Sequence, residues 1–278
     1  MLKFEILLSC MNLNGEDIVG RSNIVSDTLV VNQCNEDGFY EENRNGKKIR
    51  VFSVNDKGLT KSRNFAISHS SADVCLLCDD DESFKKGYEK KILKAYDKIK
   101  DADVIIFKIG NQPNRFPDNV RRMNYFDLMH VSSWQISFKR ESLEKNKIRF
   151  DENMGAGTGN GAEEEFKFLT DCRKAGLHIY YCPAVIADVA QTQSTWFKGF
   201  DEEFFVNRGN TTRYIMGFFP ALLYAFYYCF RKRAAIEKYI SWKKAFIFTC
   251  KGIFENRLGR CDKKENARKQ NEKRKNNG

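Results

Sequence analysis

The chain has 278 residues, 42% of them hydrophobic and 13% aromatic, so it can bury a sizeable core as one large domain or as one domain with an appendage. Its formal net charge is +10, but residues 231–278 hold 16 Lys and Arg against 5 Asp and Glu, which leaves residues 1–230 at −1. This distribution argues against a nucleic-acid-binding groove spread over the fold and predicts a basic segment that meets an anionic surface. The nine cysteines have no framework spacing and no basic leader precedes the first strand-like run, so we expect free thiols in a reducing cytosol.

Residues 3–107 alternate between strand-like and helix-like patterns. Strands are predicted at 3–11, 27–32, 49–53, 73–78 and 104–107, and helices at 16–23, 58–67 and about 85–100. Strands that alternate with helices predict a mostly parallel, doubly wound α/β sheet.

The pattern changes after Lys108. Residues 111–140 contain two prolines and two short strand-like runs, which predict a small antiparallel insertion. A glycine-rich loop at 154–161 then leads into a helix for which Gly176 is a natural stop. The strand-like runs lie near 119–125 and 134–138, and further strands are predicted at 178–181 and 184–189.

Four consecutive carboxylates, from Asp79 to Glu82, follow the apolar residues of the fourth predicted strand. Adjacent acids repel one another unless something offsets their charges, and ligands of open α/β sheets bind at the carboxyl ends of the strands. Because side chains two apart on an extended segment point the same way, Asp79 and Asp81 can converge on one cation while Asp80 faces elsewhere. Oxygen ligands of this kind suit Mg²⁺ or Mn²⁺. The alternative is a solvated acidic turn that caps the next helix.

The C-terminal part contains two apolar segments. Residues 214–230 are 17 consecutive uncharged residues that precede three basic ones, and residues 242–254 mix apolar side chains with three lysines. These patterns predict helices that lie in a bilayer interface. The alternatives are ordinary helices that pack on the domain, or a single membrane span, which needs about 20 residues. The polar stretch from about Cys261 onward predicts disorder.

Three blocks of this sequence resemble the family 2 glycosyltransferases, a group with the GT-A fold. The first is similar to the family's Gly-x-x-x-x-Arg-Asn helix followed by a strand that ends in Asp-x-Asp, and the second to a glycine-rich loop before an acidic acceptor-site motif. Segments 26–35 and 194–202 are also similar to a subgroup linked to surface-polysaccharide assembly. The three blocks are GLTKSRNFAISHSSADVCLLCDDDESF (58–84), FDENMGAGTGNGAEEEFKFLTDCRKAG (150–176) and HIYYCPAVIADV (178–189).

The resemblance implies a nucleotide-sugar donor, usually UDP-linked, a divalent metal and inversion at the anomeric carbon. Counting back from the helix-ending glycine favours Glu165 as the catalytic base, with the register among Glu163, Glu164 and Glu165 left open and a helix N-cap as the alternative. Arg63 either meets donor phosphate or braces the acid-ended strand. The implied site residues are Asp81 and Asp79 for the metal, Asp79, Asp80, Arg63, Asn64 and Asn32 for the donor, Glu165 and Glu164 for catalysis, and Trp196 and Gly161 for the acceptor.

The chain differs from the family pattern at three positions. Glu165 stands where the usual base is Asp, and Asn32 lies where many members have an Asp-rich strand end that contacts the nucleotide base. Asp188 occupies a position where members often have His, and is either a further metal ligand or a paired structural Asp. We also expect the glycine-rich loop to act as a mobile lid over the substrate.

We therefore predict an α/β protein with a GT-A-like mostly parallel sheet, flanking helices, a small antiparallel insertion and a C-terminal helical appendage. The expected regions are a glycosyltransferase domain at 1–210, membrane-associating helices at 211–258 and a basic disordered tail at 259–278. The expected activity is metal-dependent inverting sugar transfer, of the hexosyltransferase type, to a glycan or lipid-linked acceptor at the inner face of the cell membrane, with no nucleic-acid partner. The alternatives are a sugar nucleotidyltransferase and a non-catalytic, basic-tailed protein that binds polymer or RNA.

Overall fold

The computed structural model describes residues 2–12, 17–113, 115–158, 163–190 and 199–260. The chain divides into two compact units, Met1–Gln193 and Ser194–Gly278. The finer division at residues 210 and 258 stays a prediction, and residues 261–278 of the expected tail lie outside the described residues.

The N-terminal unit is built on one ten-stranded sheet within the described residues. The strands are β1 (Phe4–Met11), β2 (Asp27–Gln33), β3 (Gly38–Arg44), β4 (Lys47–Val54), β5 (Val74–Asp79), β6 (Glu82–Phe84), β7 (Val104–Ile109), β8 (Arg121–Arg122), β9 (Ile136–Lys139) and β10 (Ile179–Val189). Their order is β3-β4-β2-β1-β5-β9-β7-β10-β6, and β8 pairs with β10. Because β4, β2, β1, β5, β7 and β10 run in one direction, the predicted mostly parallel sheet is confirmed.

Helices flank this sheet, as the alternating pattern predicts. They are α1 (Ile18–Arg21), α2 (Leu59–His69), α3 (Tyr88–Lys98), α4 (Tyr125–Leu128), α5 (Arg140–Lys145) and α6 (Glu164–Lys174), with a 3₁₀ turn at Ser133–Gln135. The helix α3 buries Ile92 and Tyr96 in the same hydrophobic cluster as Ile6 and Leu76 of the central strands. Apolar residues at this spacing place one face of the helix on the sheet.

The antiparallel insertion is also confirmed. The strand β9 enters the sheet between β5 and β7 and runs antiparallel to both, while β8 pairs antiparallel with β10. The run expected near 119–125 has only the two residues of β8, because Asn124 then caps α4 by accepting the backbone N–H groups of Phe126 and Asp127.

A hairpin of β3 and β4 precedes α2, and β3 was not predicted. Its turn consists of Asn45 and Gly46 at φ +53° and +77°, the left-handed values that two-residue hairpin loops need. The strand β3 is at the edge of the sheet and mostly exposed, so it lacks the apolar alternation that would reveal it in the sequence.

The C-terminal unit consists of helices over residues 199–260. They are α7 (Glu202–Met216), α8 (Phe218–Arg231), α9 (Arg233–Ile236) and α10 (Trp242–Glu255). Gly217, at φ +89°, divides the apolar run 214–230 between α7 and α8. In the described part of the chain, no helix combines the length and apolar character that crossing a bilayer requires.

Candidate active site

The acidic run lies at the carboxyl edge of the sheet, where the sequence predicts it. Asp79 ends β5, and Glu82 opens β6 on the far side of β10, so the two residues between them connect separate parts of the sheet. Two hydrogen bonds donated by backbone N–H groups hold this connection, one to a side-chain carboxylate and one to a backbone carbonyl. The Asp79 N–H donates to Glu82 Oε1 over 2.8 Å, and the Ala190 N–H donates to the Asp81 carbonyl over 2.8 Å.

Arg63 joins this edge of the sheet to the start of α6. Its side chain is only 2% exposed, with Nη2 3.1 Å from Asp79 Oδ1 and Nη1 3.2 Å from Glu165 Oε1 and 3.6 Å from Glu164 Oε1. Burial disfavours the cation, but the charges of the three carboxylates outweigh this effect and raise the pKa of Arg63. This is the geometry of a brace, the second of its two expected roles, and contact with donor phosphate stays a prediction.

Asp79 is held on its other side by Ser133. The Ser133 hydroxyl donates to Asp79 Oδ2 over 2.7 Å, and Ser133 is itself buried. Both carboxylate oxygens of Asp79 therefore have partners in Arg63 and Ser133. Sequence reasoning missed Ser133, because 54 residues separate it from Asp79 and nothing in its local sequence marks it.

Asp80 and Asp81 are less well compensated than Asp79, since only the charge of Arg21 favours ionised Asp80 and no cation acts on Asp81 among the described residues. Burial, followed by the charge of Asp79, raises the pKa of both carboxyl groups. Asp81 Oδ1 is buried and has no hydrogen-bond partner among the residues that the structure describes. A buried carboxylate oxygen without a donor is what a hard cation would satisfy, so Asp81 fits the expected Mg²⁺ or Mn²⁺.

The described residues do not form a complete metal-binding cluster around Asp81, and the expected role of Asp79 as a second ligand stays a prediction. Within the described ranges, no group of three or more His, Cys, Asp or Glu is arranged to hold a metal ion. Mg²⁺ is often bound by one or two carboxylates together with substrate phosphates, so Asp81 and a donor diphosphate are a sufficient set in principle. Asp188, the other candidate ligand, is paired with Lys85, which is the structural alternative for that residue.

The surroundings of Glu82 reduce the electrostatic repulsion within the acidic run. Glu82 is 3% exposed, and burial, followed by the charge of Asp79, raises its pKa well above the ordinary value. A raised pKa favours the neutral form of Glu82, and Arg63 offsets part of the charge of Asp79, so repulsion within the run is smaller than four full negative charges would give.

The three glutamates before α6 differ in their surroundings. Glu163 adopts a left-handed φ of +71° and Glu164 begins the helix. The Glu164 side chain is 8% exposed, and burial, followed by the charge of Glu165, raises its pKa to about 8. The Glu165 side chain is 16% exposed. Phe168, three residues further on, is fully buried, as the register that favours Glu165 requires.

The start of the glycine-rich loop lies over α2. The Thr60 hydroxyl donates to the Met154 carbonyl over 3.0 Å, and the Leu59 N–H donates to the Ala156 carbonyl over 3.3 Å. At Gly155, φ is +96° and a Cβ would lie 2.9 Å from Thr60 Cγ2, so the position requires glycine. The expected acceptor residues Gly161 and Trp196 lie outside the described residues, and the lid role of the loop stays a prediction.

The two asparagines expected near the donor have different neighbours. Asn64 exchanges hydrogen bonds with the backbone of Phe150, with Nδ2 donating over 2.9 Å and Oδ1 accepting over 2.8 Å. Phe150 stacks on Phe168 of α6, so Asn64 supports the approach to that helix. Asn32, near the end of β2, lines a cavity of about 280 Å³ between α1 and the strands β2, β3 and β4. The expected contacts of Asn64 and Asn32 with the donor stay predictions.

Residues 25–160 match the family described as "Glycosyl transferase family 2". The matched segment contains Arg63 and the strand-end acids and stops short of Glu164 and Glu165. A sequence comparison with curated proteins found no match.

Crystal structures of S. aureus TarS share the fold. TarS 1–349 is 15% identical with a TM-score of 0.55, and the match covers 76% of this chain and 64% of that one. Its complex with UDP-GlcNAc is 14% identical with a TM-score of 0.57 over 76% and 66%, and its complex with UDP is 16% identical with a TM-score of 0.52 over 75% and 64%. The chain thus spans just under two thirds of TarS 1–349. At these identities the likeness shows the fold alone, which is GT-A as the sequence predicts.

Proposed function

We propose that this enzyme transfers a sugar from a UDP-linked donor to a hydroxyl group of a glycan or lipid-linked acceptor, with inversion, in surface-polysaccharide synthesis. The match of residues 25–160 to the glycosyltransferase family and the UDP-GlcNAc complex of the similarly folded TarS support a nucleotide-sugar donor. One observation carries the site assignment. Arg63 holds Asp79 of the strand end and Glu165 of the later helix on the same guanidinium, although 102 residues separate Arg63 from Glu165.

The residues of this site divide into a donor side and an acceptor side. A divalent cation bound by Asp81 would offset the negative charge that builds on the departing diphosphate. Arg63 and Ser133 fix Asp79 and so the strand end that carries Asp81. Glu165 accepts the proton of the acceptor hydroxyl as that hydroxyl attacks the anomeric carbon from the face opposite the diphosphate, and a single displacement of this kind inverts the configuration.

The test is release of UDP from a panel of UDP-sugars, with Mn²⁺ or with a chelator. We expect metal-dependent release by the wild type and a loss of about a hundredfold or more in Asp81→Ala and Glu165→Gln. Asp97→Ala and Glu141→Gln remove exposed carboxylates of the same types and serve as matched controls. Release of pyrophosphate when sugar 1-phosphate and UTP are supplied would identify a nucleotidyltransferase and contradict the proposal.

We also propose that the C-terminal unit holds the enzyme at the anionic inner face of the cell membrane. The support is the charge distribution, since residues 231–278 are strongly basic and residues 1–230 are nearly neutral. The full chain is expected to sediment with vesicles that contain anionic lipid and to dissociate at high salt. Equal sedimentation with neutral vesicles would contradict this part of the proposal.

A further inference from the structure

The helix α8 buries three small residues, with Phe218, Leu222 and Tyr228 half-buried against the same clusters, and exposes five large apolar side chains. Ala221, Ala225 and Cys229 are at most 1% exposed and pack in the cores of the C-terminal unit. A helix on the surface of a soluble unit normally has charged or polar residues on its outward face. The large exposed side chains are Phe219 (75%), Leu223 (75%), Phe226 (52%), Tyr227 (60%) and Phe230 (48%).

These five side chains form one continuous face, which we call the α8 apolar face. Their spacing of three, four and seven residues places them on one side of a helix. No charged residue occurs between Phe218 and Phe230, and the rings of Phe226 and Phe230 stack with centroids 6.1 Å apart. Contiguous apolar surface of this kind marks an interaction site.

A basic cluster borders the α8 apolar face at the helix C-terminus. Arg231, Lys232 and Arg233 are all exposed, and the Arg233 guanidinium lies 4.9 Å from the centroid of the Phe230 ring. Residues 231–260 hold nine Lys and Arg against two Glu. Cationic side chains next to an apolar aromatic face complement the anionic headgroups and acyl chains of a lipid surface.

We propose that the α8 apolar face lies in the headgroup–acyl boundary of an anionic bilayer, with the helix axis parallel to the membrane plane. Only one face of α8 is available to lipid, because the opposite face packs in the unit's own core. The helix has 14 residues and is about 21 Å long. Arg231, Lys232 and Arg233 would then contact lipid phosphates. This inference rests on the proposed membrane association and identifies its lipid class and its inserting residues.

The experiment measures partition of the full chain onto vesicles of phosphatidylcholine with about 30 mol% phosphatidylglycerol and onto pure phosphatidylcholine. Leu223→Ser/Phe226→Ser is expected to weaken partition onto the anionic vesicles at least about tenfold, because it removes two inserted side chains. Val25→Ser/Phe126→Ser, which also removes two exposed apolar side chains, is the matched control and is expected to stay within about twofold.

The basic cluster gives the second arm. Arg231→Gln/Lys232→Gln/Arg233→Gln is expected to weaken partition onto anionic vesicles about tenfold to a hundredfold and to leave the weak partition onto pure phosphatidylcholine unchanged. A Leu223→Trp variant is expected to show a blue-shifted emission with anionic vesicles that brominated acyl chains quench. These results together would support insertion of α8 beside anionic headgroups.

Two results would overturn the inference. One is unchanged vesicle partition in Leu223→Ser/Phe226→Ser with native circular dichroism. The other is a wild-type dimer that does not bind vesicles and dissociates in that variant on sedimentation velocity, which would identify a second copy of the chain as the occupant of the face. UDP release from the donor in solution is measured in parallel. Because it does not involve α8, its failure would contradict the transferase proposal and leave the lipid result standing.

Discussion

At the scale of single residues, the charge of the candidate site depends on one buried guanidinium. Arg63 faces Asp79, Glu164 and Glu165, of which Glu164 has a pKa raised to about 8. At neutral pH the cation therefore balances mainly Asp79 and Glu165, and this balance keeps the two elements together. Removal of Arg63 would leave these carboxylates without the cation that balances their charge.

We predict that Arg63→Met lowers the free energy of unfolding by about 3–5 kcal/mol, the cost of breaking a buried ion pair. Arg63→Lys should lower the free energy of unfolding by an intermediate amount. Lysine keeps the positive charge but lacks the planar guanidinium that contacts Asp79 and Glu165 together. Lys145→Met, which breaks an exposed pair with Glu141, is the control and should change stability by about 0.5 kcal/mol or less. Urea unfolding measures all three, and a change below about 1 kcal/mol in Arg63→Met would refute the brace.

Glu164 makes stability depend on pH. Its pKa is raised from 4.5 to about 8 by burial and then by Glu165, so the folded protein keeps a proton that the unfolded chain releases within this window. Glu164 therefore destabilises the folded state progressively as pH rises from about 4.5 to about 8. Glu164→Gln should gain stability over the wild type across this range, by at most about 1.4 kcal/mol per pH unit.

The measurement is urea unfolding of the wild type and Glu164→Gln at about pH 5 and about pH 8. The difference in unfolding free energy should be larger at the higher pH. Glu141→Gln alters an exposed carboxylate and should give a nearly constant difference. A constant difference in Glu164→Gln as well would mean that Glu164 is ionised in the folded protein.

At the scale of elements, two glycines set the contact between α7 and α10. A Cβ on Gly209 would lie 2.0 Å from the Thr249 carbonyl oxygen, and one on Gly252 would lie 1.9 Å from that of Val206. The two helices therefore touch backbone to backbone, which larger residues would prevent.

We predict that Gly209→Ala lowers the free energy of unfolding by about 1–3 kcal/mol, because the helices must move apart. Helix propensity alone would raise the free energy of unfolding by about 1 kcal/mol. The sign of the measured change therefore separates the steric effect from the propensity effect. Lys244→Ala on the exposed side of α10 is the control and should stay within about 0.5 kcal/mol. Thermal unfolding followed by circular dichroism gives the answer, and a raised Tm in Gly209→Ala would show that the helices do not meet there.

Some elements of the fold have a sequence pattern that predicts them, and others have none. The apolar run before Asp79 predicts β5, because a strand buried on both faces must be apolar throughout, and its residues 74–78 are at most 1% exposed. The exposed edge strand β3 has no such pattern. The contacts of Ser133 with Asp79 and of Phe150 with Arg63 arise from tertiary packing between distant segments. No local sequence pattern therefore predicts them. The segment that forms α8 is recognisable in the sequence as apolar. Only the structure shows which face of that helix is exposed.

At the scale of the whole molecule, the candidate site joins residues that lie far apart in the sequence of the N-terminal unit, from Arg63 to Glu165. The resemblance to family 2 glycosyltransferases predicts that the strand-end acids and Glu165 share one site, and Arg63 links Asp79 to Glu165 in the structure. The roles of Asp81 on the donor side and Glu165 on the acceptor side stay predictions. These roles imply that a substitution of Asp81 weakens donor binding and that a substitution of Glu165 does not.

The most direct measurement is calorimetric titration of UDP into the wild type, Asp81→Asn and Glu165→Gln, with and without Mn²⁺. We expect Mn²⁺-dependent binding by the wild type, a loss of about tenfold or more in Asp81→Asn, and binding within about threefold of the wild type in Glu165→Gln. UDP binding that is independent of Mn²⁺ and unchanged in Asp81→Asn would contradict the account.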